Sequence, residues 1–219
     1  MIFQEGHLYH IYNQGNNRGR IFFMRDNYLF FLKKITQHIL PYADVLAWCL
    51  MPNHFHLMVY VKPGGESGRD IQSGRDFKSH PDWVESVHDL KSHPDYSRNP
   101  HLALNKSIGI MLASYTRAIN NQENRSGSLF RKETKAICLT QISGITPNWF
   151  KSAGITYMNN SLPEKAYPQV CFRYIHQNPV NAGLVNTPGE WEFSSYADSV
   201  GMRKGRLINY MRIKEFGLI

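Results

Sequence analysis

The composition of the chain describes a basic protein with enough apolar residues to form a core. It has 219 residues, 42% hydrophobic and 19% charged, which excludes a disordered tail. Lys and Arg outnumber Asp and Glu by 25 to 17, a formal charge of +8 that favours a polyanionic partner such as nucleic acid. The three distant cysteines lack CxxC spacing, and no run reaches the roughly 18 apolar residues of a membrane span. We therefore expect a soluble, cytoplasmic protein with no membrane partner.

The first 61 residues predict two elements and then a hairpin. HLYHIYNQ (7–14) alternates and is rich in Tyr and Ile, which predicts a strand, and the basic loop GNNRGR follows it. DNYLFFLKKITQHIL has apolar residues at helical spacing, with Asp26 as a plausible N-cap and Pro41 as a stop. ADVLAWCLM and HFHLMVYV predict two strands joined by a Pro-Asn turn. The predicted order is strand, helix, strand, strand.

Residues 63–100 carry an internal duplication in a polar setting. The word SGRD occurs twice and the word KSHPD occurs twice, within a stretch rich in Gly, Ser, Asp, Lys and His. A surface loop absorbs an insertion at little thermodynamic cost. We therefore predict an expanded surface loop whose histidines are solvated and do not bind a metal.

The rest of the chain predicts a second long helix and a less regular end. LALNKSIGIMLASYTRAINNQEN has an apolar stripe that includes Tyr115, so this tyrosine is expected on the buried face. A basic loop leads into a short strand at 135–139, and a further helix is predicted around PQVCFRYIHQN. Turns with short extended pieces follow it, and the basic segment at 203–214 is a surface helix or a tail.

The histidine pair in the second strand of the hairpin is the most distinctive chemical feature. Alternate strand residues share a face, so His54 and His56 point one way while Phe55 and Leu57 point the other. Two imidazoles at this spacing can occupy two cis positions of one metal ion, although buried histidines with structural roles are also common. Tyr115 is a candidate nucleophile if its helix covers the sheet. A tyrosine on an apolar stripe is, however, more often a core residue.

Three motifs resemble one known family. MPNHFHLMV resembles the HUH motif of single-tyrosine HUH nucleases, and SYTRAINNQENRSGSLFRKETKA resembles the tyrosine helix of the REP-associated tyrosine transposases. RYIHQNPVNAGLV, with WEFSSY downstream, is similar to the C-terminal segment of that group. The resemblance covers most of the chain. The sequence departs from the family pattern in the loop at 63–100 and near 140–168. It implies an α+β, ferredoxin-like fold, an antiparallel sheet with helices on one face.

The resemblance also implies a domain division and a reaction. Residues 1–140 would form the catalytic domain with its insertion at 63–100, and 141–219 a C-terminal extension of the same domain that contacts DNA. His54 and His56 would bind Mg²⁺ or Mn²⁺ and Tyr115 would attack the scissile phosphate, giving a 5′-phosphotyrosine adduct and a free 3′-OH. Such transesterification conserves the energy of the phosphodiester bond for rejoining.

The third metal ligand is the open point of this resemblance. In related small transposases a polar residue one helical turn after the tyrosine completes the site, but here that position is Ile119. Asn120 matches an asparagine common in the REP-associated group and is the predicted ligand. Asn120 is five residues after Tyr115, which turns it about 140° away from the Tyr115 face of the helix. Gln122, seven residues after Tyr115, lies on that face and is the competing candidate for the third ligand.

The resemblance implies single-stranded DNA with REP-type hairpins as the partner, bound by a monomer or a homodimer. A catalytically inactive hairpin-binding protein and a metal protein unrelated to DNA remain the alternatives. Basic residues flanking the proposed site would contact phosphates, and aromatic residues, Tyr12 among them, would stack on bases. The predicted DNA-binding residues are Arg18, Arg20, Arg117, Arg125, Phe130, Arg131, Lys132 and Lys135.

Overall fold

The computed structural model describes residues 2–63, 100–140, 149–152, 155–158 and 167–219. The predicted duplicated loop therefore lies outside the described residues. The strands are β1 (Leu8–Gln14), β2 (Ala43–Met51), β3 (His54–Val61), β4 (Lys135–Cys138), β5 (Trp149–Ser152) and β6 (Ile155–Met158). The helices are α1 (Arg25–His38), α2 (Pro100–Gln122), α3 (Tyr167–Asn181), α4 (Tyr196–Ser199) and α5 (Tyr210–Glu215).

Four of the strands form one antiparallel sheet in the order β2-β3-β1-β4. The helix α1 connects β1 to β2, and α2 follows β3 and precedes β4, so each long helix connects two strands that are not neighbours. This arrangement confirms the predicted α+β fold with a ferredoxin-like antiparallel sheet. A separate hairpin of β5 and β6, which the sequence did not predict, lies in the region near 140–168 where the sequence departs from the family.

The helices α1 and α2 cover one face of the sheet. The strand residues Ile11, Phe55, Leu57 and Val59 on this face are all buried, and they form one cluster with apolar residues of both helices. Removing this apolar surface from water is the main stabilisation of the sandwich. The predicted placement of Tyr115 on the buried stripe of its helix is confirmed.

The C-terminal segment covers the other face of the sheet. Met58 and Cys49 are buried there in a second cluster with Phe172 and Ile175 of α3 and Ile213 of α5. The sheet therefore has helices on both sides: the α1–α2 pair of the ferredoxin-like core on one, and the C-terminal helices on the other. The face that carries the two histidines is the one beneath the C-terminal helices.

Two further expectations about helices can be compared with the structure. The helix α1 begins two residues earlier than predicted, because Met24, not Asp26, is its N-cap. The side chain of Asn27 accepts hydrogen bonds from the backbone N–H groups of Phe23 and Met24, which satisfies this end. The end of the basic segment at 203–214 forms the helix α5, whereas residues 203–209 are not helical. Within the described ranges, no helix is both long and apolar enough to cross a membrane.

Candidate active site

The register of the sheet places the histidine pair at the start of β3. His54 lies opposite Met51 and Gln14, and His56 lies opposite Cys49 and Tyr12. The two imidazole rings have centroids 5.0 Å apart and are nearly perpendicular, at 86°. The strand alternation therefore places both rings on the same face, as predicted, and that face packs against α3.

The neighbouring amide of Asn53 fixes the tautomer of His54. Its nitrogen donates to the carbonyl oxygen of Arg18 at 3.2 Å, so its oxygen is the atom that faces the ring. His54 Nδ1 lies 2.6 Å from this oxygen, which only accepts hydrogen bonds, and must therefore donate. In the neutral imidazole this leaves the lone pair on Nε2.

A third histidine, which the sequence reasoning did not select, contacts the pair. His10 on β1 lies diagonally across from His56, and its Nε2 is 2.9 Å from His56 Nδ1. Burial lowers the pKa of His10 to about 3. Burial, followed by the nearby His10 and His54, lowers the pKa of His56 well below its usual value. Both rings are therefore neutral near pH 7, the form in which imidazole binds metal ions.

The second nitrogen of His56 has no hydrogen-bond partner among the described residues. His56 Nε2 is buried and forms no hydrogen bond within the described part of the chain. An unsatisfied buried polar atom costs about 1–3 kcal/mol, so such atoms are rare and require an explanation. A bound cation at Nε2 would provide one.

The helix α3 brings a tyrosine and an asparagine to the same place. Tyr174 and Asn178 are four residues apart and share one helix face. The ring of Tyr174 has its centroid 5.4 Å from that of His56, at 79°. The Asn178 amide donates to the Tyr174 carbonyl oxygen at 2.9 Å.

The side chain of Asn178 also interacts with the groups on both sides of it. Burial lowers the pKa of His54, and the hydrogen bond to Asn178 opposes this shift. Burial raises the pKa of the Tyr174 hydroxyl most strongly, while a hydrogen bond from Asn178 lowers it. Asn178 therefore lies between the histidine pair and the phenol, close enough to interact with both.

A buried hydrogen-bond cluster anchors α3 to β2. His176 Nε2 lies 2.8 Å from Ser195 Oγ, and Ser195 Oγ in turn accepts from the Trp48 backbone N–H at 2.9 Å and donates to its carbonyl oxygen. His176 and Ser195 are both buried. Because His176 lies between Tyr174 and Asn178 in the sequence, this cluster fixes the part of the helix that faces the histidine pair.

These residues fit a divalent cation. His54 and His56 present neutral imidazoles, one with an unsatisfied Nε2, and the oxygen of Asn178 lies beside them. Nitrogen together with oxygen donors suits Mn²⁺ and other first-row ions, whereas Mg²⁺ prefers oxygen. Among the described residues, no three His, Cys, Asp or Glu side chains are arranged to hold a metal ion. The side-chain oxygen of Asn178, beside His54, is the candidate third ligand.

The structure separates Tyr115 from the histidine pair. The helix α2 covers the Phe55 face, so Tyr115 lies on the opposite side of the sheet from the histidines. Its side chain is 0% exposed, and its hydroxyl donates to the carbonyl oxygen of Ile21 at 2.8 Å. Burial raises the pKa of this phenol far above its ordinary value. The structure does not bring Tyr115 together with the histidine pair, and its environment is that of a core residue.

The two candidates for the third ligand on α2 also lie away from the histidines. Asn120 belongs to this helix, and its amide donates to the carbonyl oxygen of Gly127 at 2.8 Å, which holds the following turn. Gln122 accepts a hydrogen bond from Asn27 of α1 at 2.8 Å. Both predictions depended on Tyr115 being in the site, and the structure does not bring either residue to the histidine pair.

A signal in the sequence did point to α3. The rule of a polar residue one helical turn after the tyrosine fails at Ile119, but Tyr174 and Asn178 in RYIHQN satisfy it. This segment resembles the C-terminal part of the related family. His10 had a weaker signal, since only the alternation of β1 places it on a face with Tyr12.

The loop between β1 and α1 places two predicted DNA contacts near the histidines. The N–H of Gly15 donates to the carbonyl oxygen of Asn53 at 2.8 Å, and the N–H of Ile21 donates to that of Pro52 at 2.9 Å. These bonds fix the loop to the turn that precedes His54. Arg18 and Arg20 in this loop are both exposed.

The remaining predicted DNA contacts differ in their surroundings. The exposed basic residues are Arg117, Arg125, Arg131, Lys132 and Lys135. The backbone N–H of Arg131 donates to the carbonyl oxygen of Gln14, which lies opposite His54. Arg131 therefore lies at the same end of the sheet as His54. Lys135 is paired with Glu133 at 2.7 Å. The side chain of Phe130 is 5% exposed and packs in the core, a position that does not favour the predicted stacking on bases.

The comparisons with known proteins bear on the fold. No protein-family model matches the sequence, and no curated protein matches it either. The structure is similar to that of a REP-associated tyrosine transposase solved with a bound REP hairpin. The TM-score is 0.50 and the identity 15%, over 92% of this chain and 83% of that one. At this identity the likeness concerns the fold: the chain has an α+β fold similar to that of a REP-associated tyrosine transposase.

Proposed function

We propose that this chain is a metal-dependent single-stranded DNA endonuclease and strand transferase that acts at hairpin DNA, with Tyr174 as its nucleophile. The observation that carries the proposal is the convergence of His54, His56, Tyr174 and Asn178 on one face of the sheet. Hairpin DNA is proposed because the similar transposase was solved with a REP hairpin. The formal charge of +8 supports a nucleic acid as the partner.

Three side chains would hold the cation in this proposal. His54 presents an Nε2 lone pair, the unsatisfied Nε2 of His56 would be the second donor, and the Asn178 oxygen would be the third. The bound cation, Mg²⁺ or Mn²⁺, would withdraw negative charge from a non-bridging oxygen of the scissile phosphate. Asn178 replaces Asn120 in this role because it is the amide that the fold places beside the pair.

Tyr174 would perform the covalent step. Its phenolic oxygen attacks phosphorus, a bond from this oxygen to phosphorus forms, and the bond from phosphorus to the 3′ oxygen breaks. The products are a tyrosine esterified to the 5′ phosphate and a free 3′ hydroxyl, which has taken up one proton while the phenol has lost one. Burial raises the pKa of this phenol, and the hydrogen bond from Asn178 opposes that rise. Reversing the step with another 3′ hydroxyl rejoins the strand.

The exposed basic residues at the same end of the sheet would bind the DNA backbone. Arg18 and Arg20 are held beside His54 by the loop after β1, and Arg131 lies next to Gln14 across from it. Tyr12 is half-buried, with its ring centroid 5.8 Å from that of His56, and could stack on an unpaired base next to the scissile phosphate. A single strand of DNA would thus pass the end of the sheet at which His54 begins β3.

The experiment that tests the proposal uses a single-stranded hairpin oligonucleotide with a fluorescent label on its 5′ side and another on its 3′ side. Incubation with Mn²⁺ should give a denaturation-resistant protein adduct that carries the 3′-side label, because the enzyme keeps the 5′ phosphate. A chelator should abolish the adduct while hairpin binding persists. Binding without cleavage in any divalent cation would contradict the proposal and favour an inactive hairpin-binding protein.

A further inference from the structure

His10 is a buried titratable residue to which the proposed reaction gives no role. It lies on β1, and its ring stacks on that of His56 with centroids 5.0 Å apart at an angle of 26°. The contact between His10 Nε2 and His56 Nδ1, at 2.9 Å, is a buried hydrogen bond between two imidazoles. A polar pair of this kind is costly in a sheet core unless both rings are satisfied.

The hydrogen bond admits two arrangements of protons between two neutral rings. In one, His10 Nε2–H donates to His56 Nδ1, and His56 then carries its proton on the buried Nε2, which has no acceptor in the described part of the chain. In the other, His56 Nδ1–H donates to His10 Nε2, and His56 Nε2 carries a lone pair. Only the second arrangement lets a cation relieve the unsatisfied atom.

His54 offers an independent parallel. Its Nδ1 donates to the Asn53 oxygen, so its lone pair is on Nε2. If His56 takes the second arrangement, both histidines present the same nitrogen as an acceptor. A metal-binding histidine commonly donates its other N–H to a neighbouring acceptor, which fixes both its tautomer and its orientation.

We propose that His10 is a positioning residue that accepts the Nδ1 proton of His56 and so fixes His56 Nε2 as a metal-binding lone pair. The inference rests on the proposed metal site, but it concerns a residue that contacts neither the cation nor the DNA. His10 itself then carries its proton on Nδ1. Its ring, stacked against His56, also restricts the rotation of that ligand.

The first test is made on the metal-free wild-type protein and needs no substitution. Two-bond ¹H–¹⁵N correlation spectra of the protein with ¹⁵N-labelled histidine distinguish the protonated ring nitrogen from the bare one. We expect His56 to be protonated at Nδ1 and His10 at Nδ1. A His56 ring protonated at Nε2 would overturn the inference and leave the proposed DNA reaction standing.

The second test measures the affinity of the protein for Mn²⁺ alone by isothermal titration calorimetry. His10→Leu should weaken binding about 10–100-fold, the usual effect of losing such a partner. His10→Gln should restore most of the affinity, because its side-chain oxygen can accept from His56. His38→Leu is the matched control, since His38 is also a buried histidine but is hydrogen-bonded to Ser107 on the opposite face. Unchanged Mn²⁺ affinity in folded His10→Leu would overturn the inference.

The two proposals fail in different ways. A wild-type protein that binds Mn²⁺ through a Nδ1-protonated His56, yet never forms a DNA adduct, contradicts the proposed function and supports the role of His10. A His10→Leu protein that forms the adduct and binds Mn²⁺ with wild-type affinity supports the proposed function and contradicts the role of His10. Wild-type protein that binds no Mn²⁺ contradicts both.

Discussion

Tyr115 and Tyr174 lie on opposite faces of the same four-stranded sheet. Tyr115, on α2, packs among aromatic core residues between the two long helices and the sheet, and its hydroxyl donates to the backbone carbonyl of Ile21. The Tyr174 ring lies 5.4 Å from that of His56 beneath the C-terminal helices. One tyrosine is therefore enclosed in the core, and the other lies next to the candidate metal ligands.

Tyr115 should contribute to stability and have no part in the reaction. Tyr115→Phe removes the hydrogen bond to Ile21 and leaves that buried carbonyl oxygen unsatisfied, so the free energy of unfolding should fall by about 1–3 kcal/mol. Urea denaturation measures it. Tyr210→Phe, at a largely exposed tyrosine, is the control and should change stability by less than about 0.5 kcal/mol. A stability unchanged by Tyr115→Phe would contradict this account of the core.

Asn178 should be the amide that supports metal binding. Asn178→Ala removes the oxygen donor beside His54, so the affinity for Mn²⁺ should fall by about tenfold or more, by analogy with the loss of a metal-site partner. Isothermal titration with Mn²⁺ provides the measurement. The matched control is Asn120→Ala, which removes only the contact to Gly127 and should leave the affinity unchanged. A loss of Mn²⁺ affinity in Asn120→Ala but not in Asn178→Ala would instead indicate that the third ligand is Asn120 on α2.

The loop after β1 should bind DNA phosphates. Arg18→Gln and Arg20→Gln should each weaken hairpin binding and reduce the slope of log affinity against log salt by about one. Fluorescence anisotropy at several salt concentrations measures both quantities. Lys33→Gln is the control, because Lys33 is exposed on α1, on the other side of the sheet. Equal effects of all three substitutions would indicate a general charge effect without a defined DNA path.

One copy of the chain should contain a complete site. His56 and Tyr174 contact each other within a single chain, so a mixture of His56→Ala and Tyr174→Phe proteins should form no adduct. If two copies instead exchanged their tyrosines, the mixture would recover activity. An adduct assay on the mixed and the separate variants distinguishes these arrangements.

The fold was predictable because its signals are local. Strand alternation and helical spacing placed β1 to β3 and the apolar stripe of α2, and the hairpin at Pro52–Asn53 followed from turn chemistry. The alternation in HFHLMVYV also placed His54 and His56 on one face. Each of these features depends on residues close together in the sequence.

The candidate site was harder to predict because it depends on which side of the sheet each helix covers. Periodicity placed Tyr115 on a buried stripe, but nothing local said that this stripe faces Phe55 and not His56. The covering of the histidine face by α3 is a contact between distant parts of the chain. Of this part of the site, the sequence alone indicates only that Tyr174 and Asn178, four residues apart, share one helix face.

The most direct test compares Tyr174→Phe with Tyr115→Phe in one adduct assay. Each folded protein is incubated with Mn²⁺ and the doubly labelled hairpin, and the covalent product is separated under denaturing conditions. We predict that Tyr174→Phe binds the hairpin but forms no adduct, and that Tyr115→Phe still forms one carrying the 3′-side label. Adduct formation by Tyr174→Phe, with none by folded Tyr115→Phe, would contradict the assignment of the nucleophile to α3.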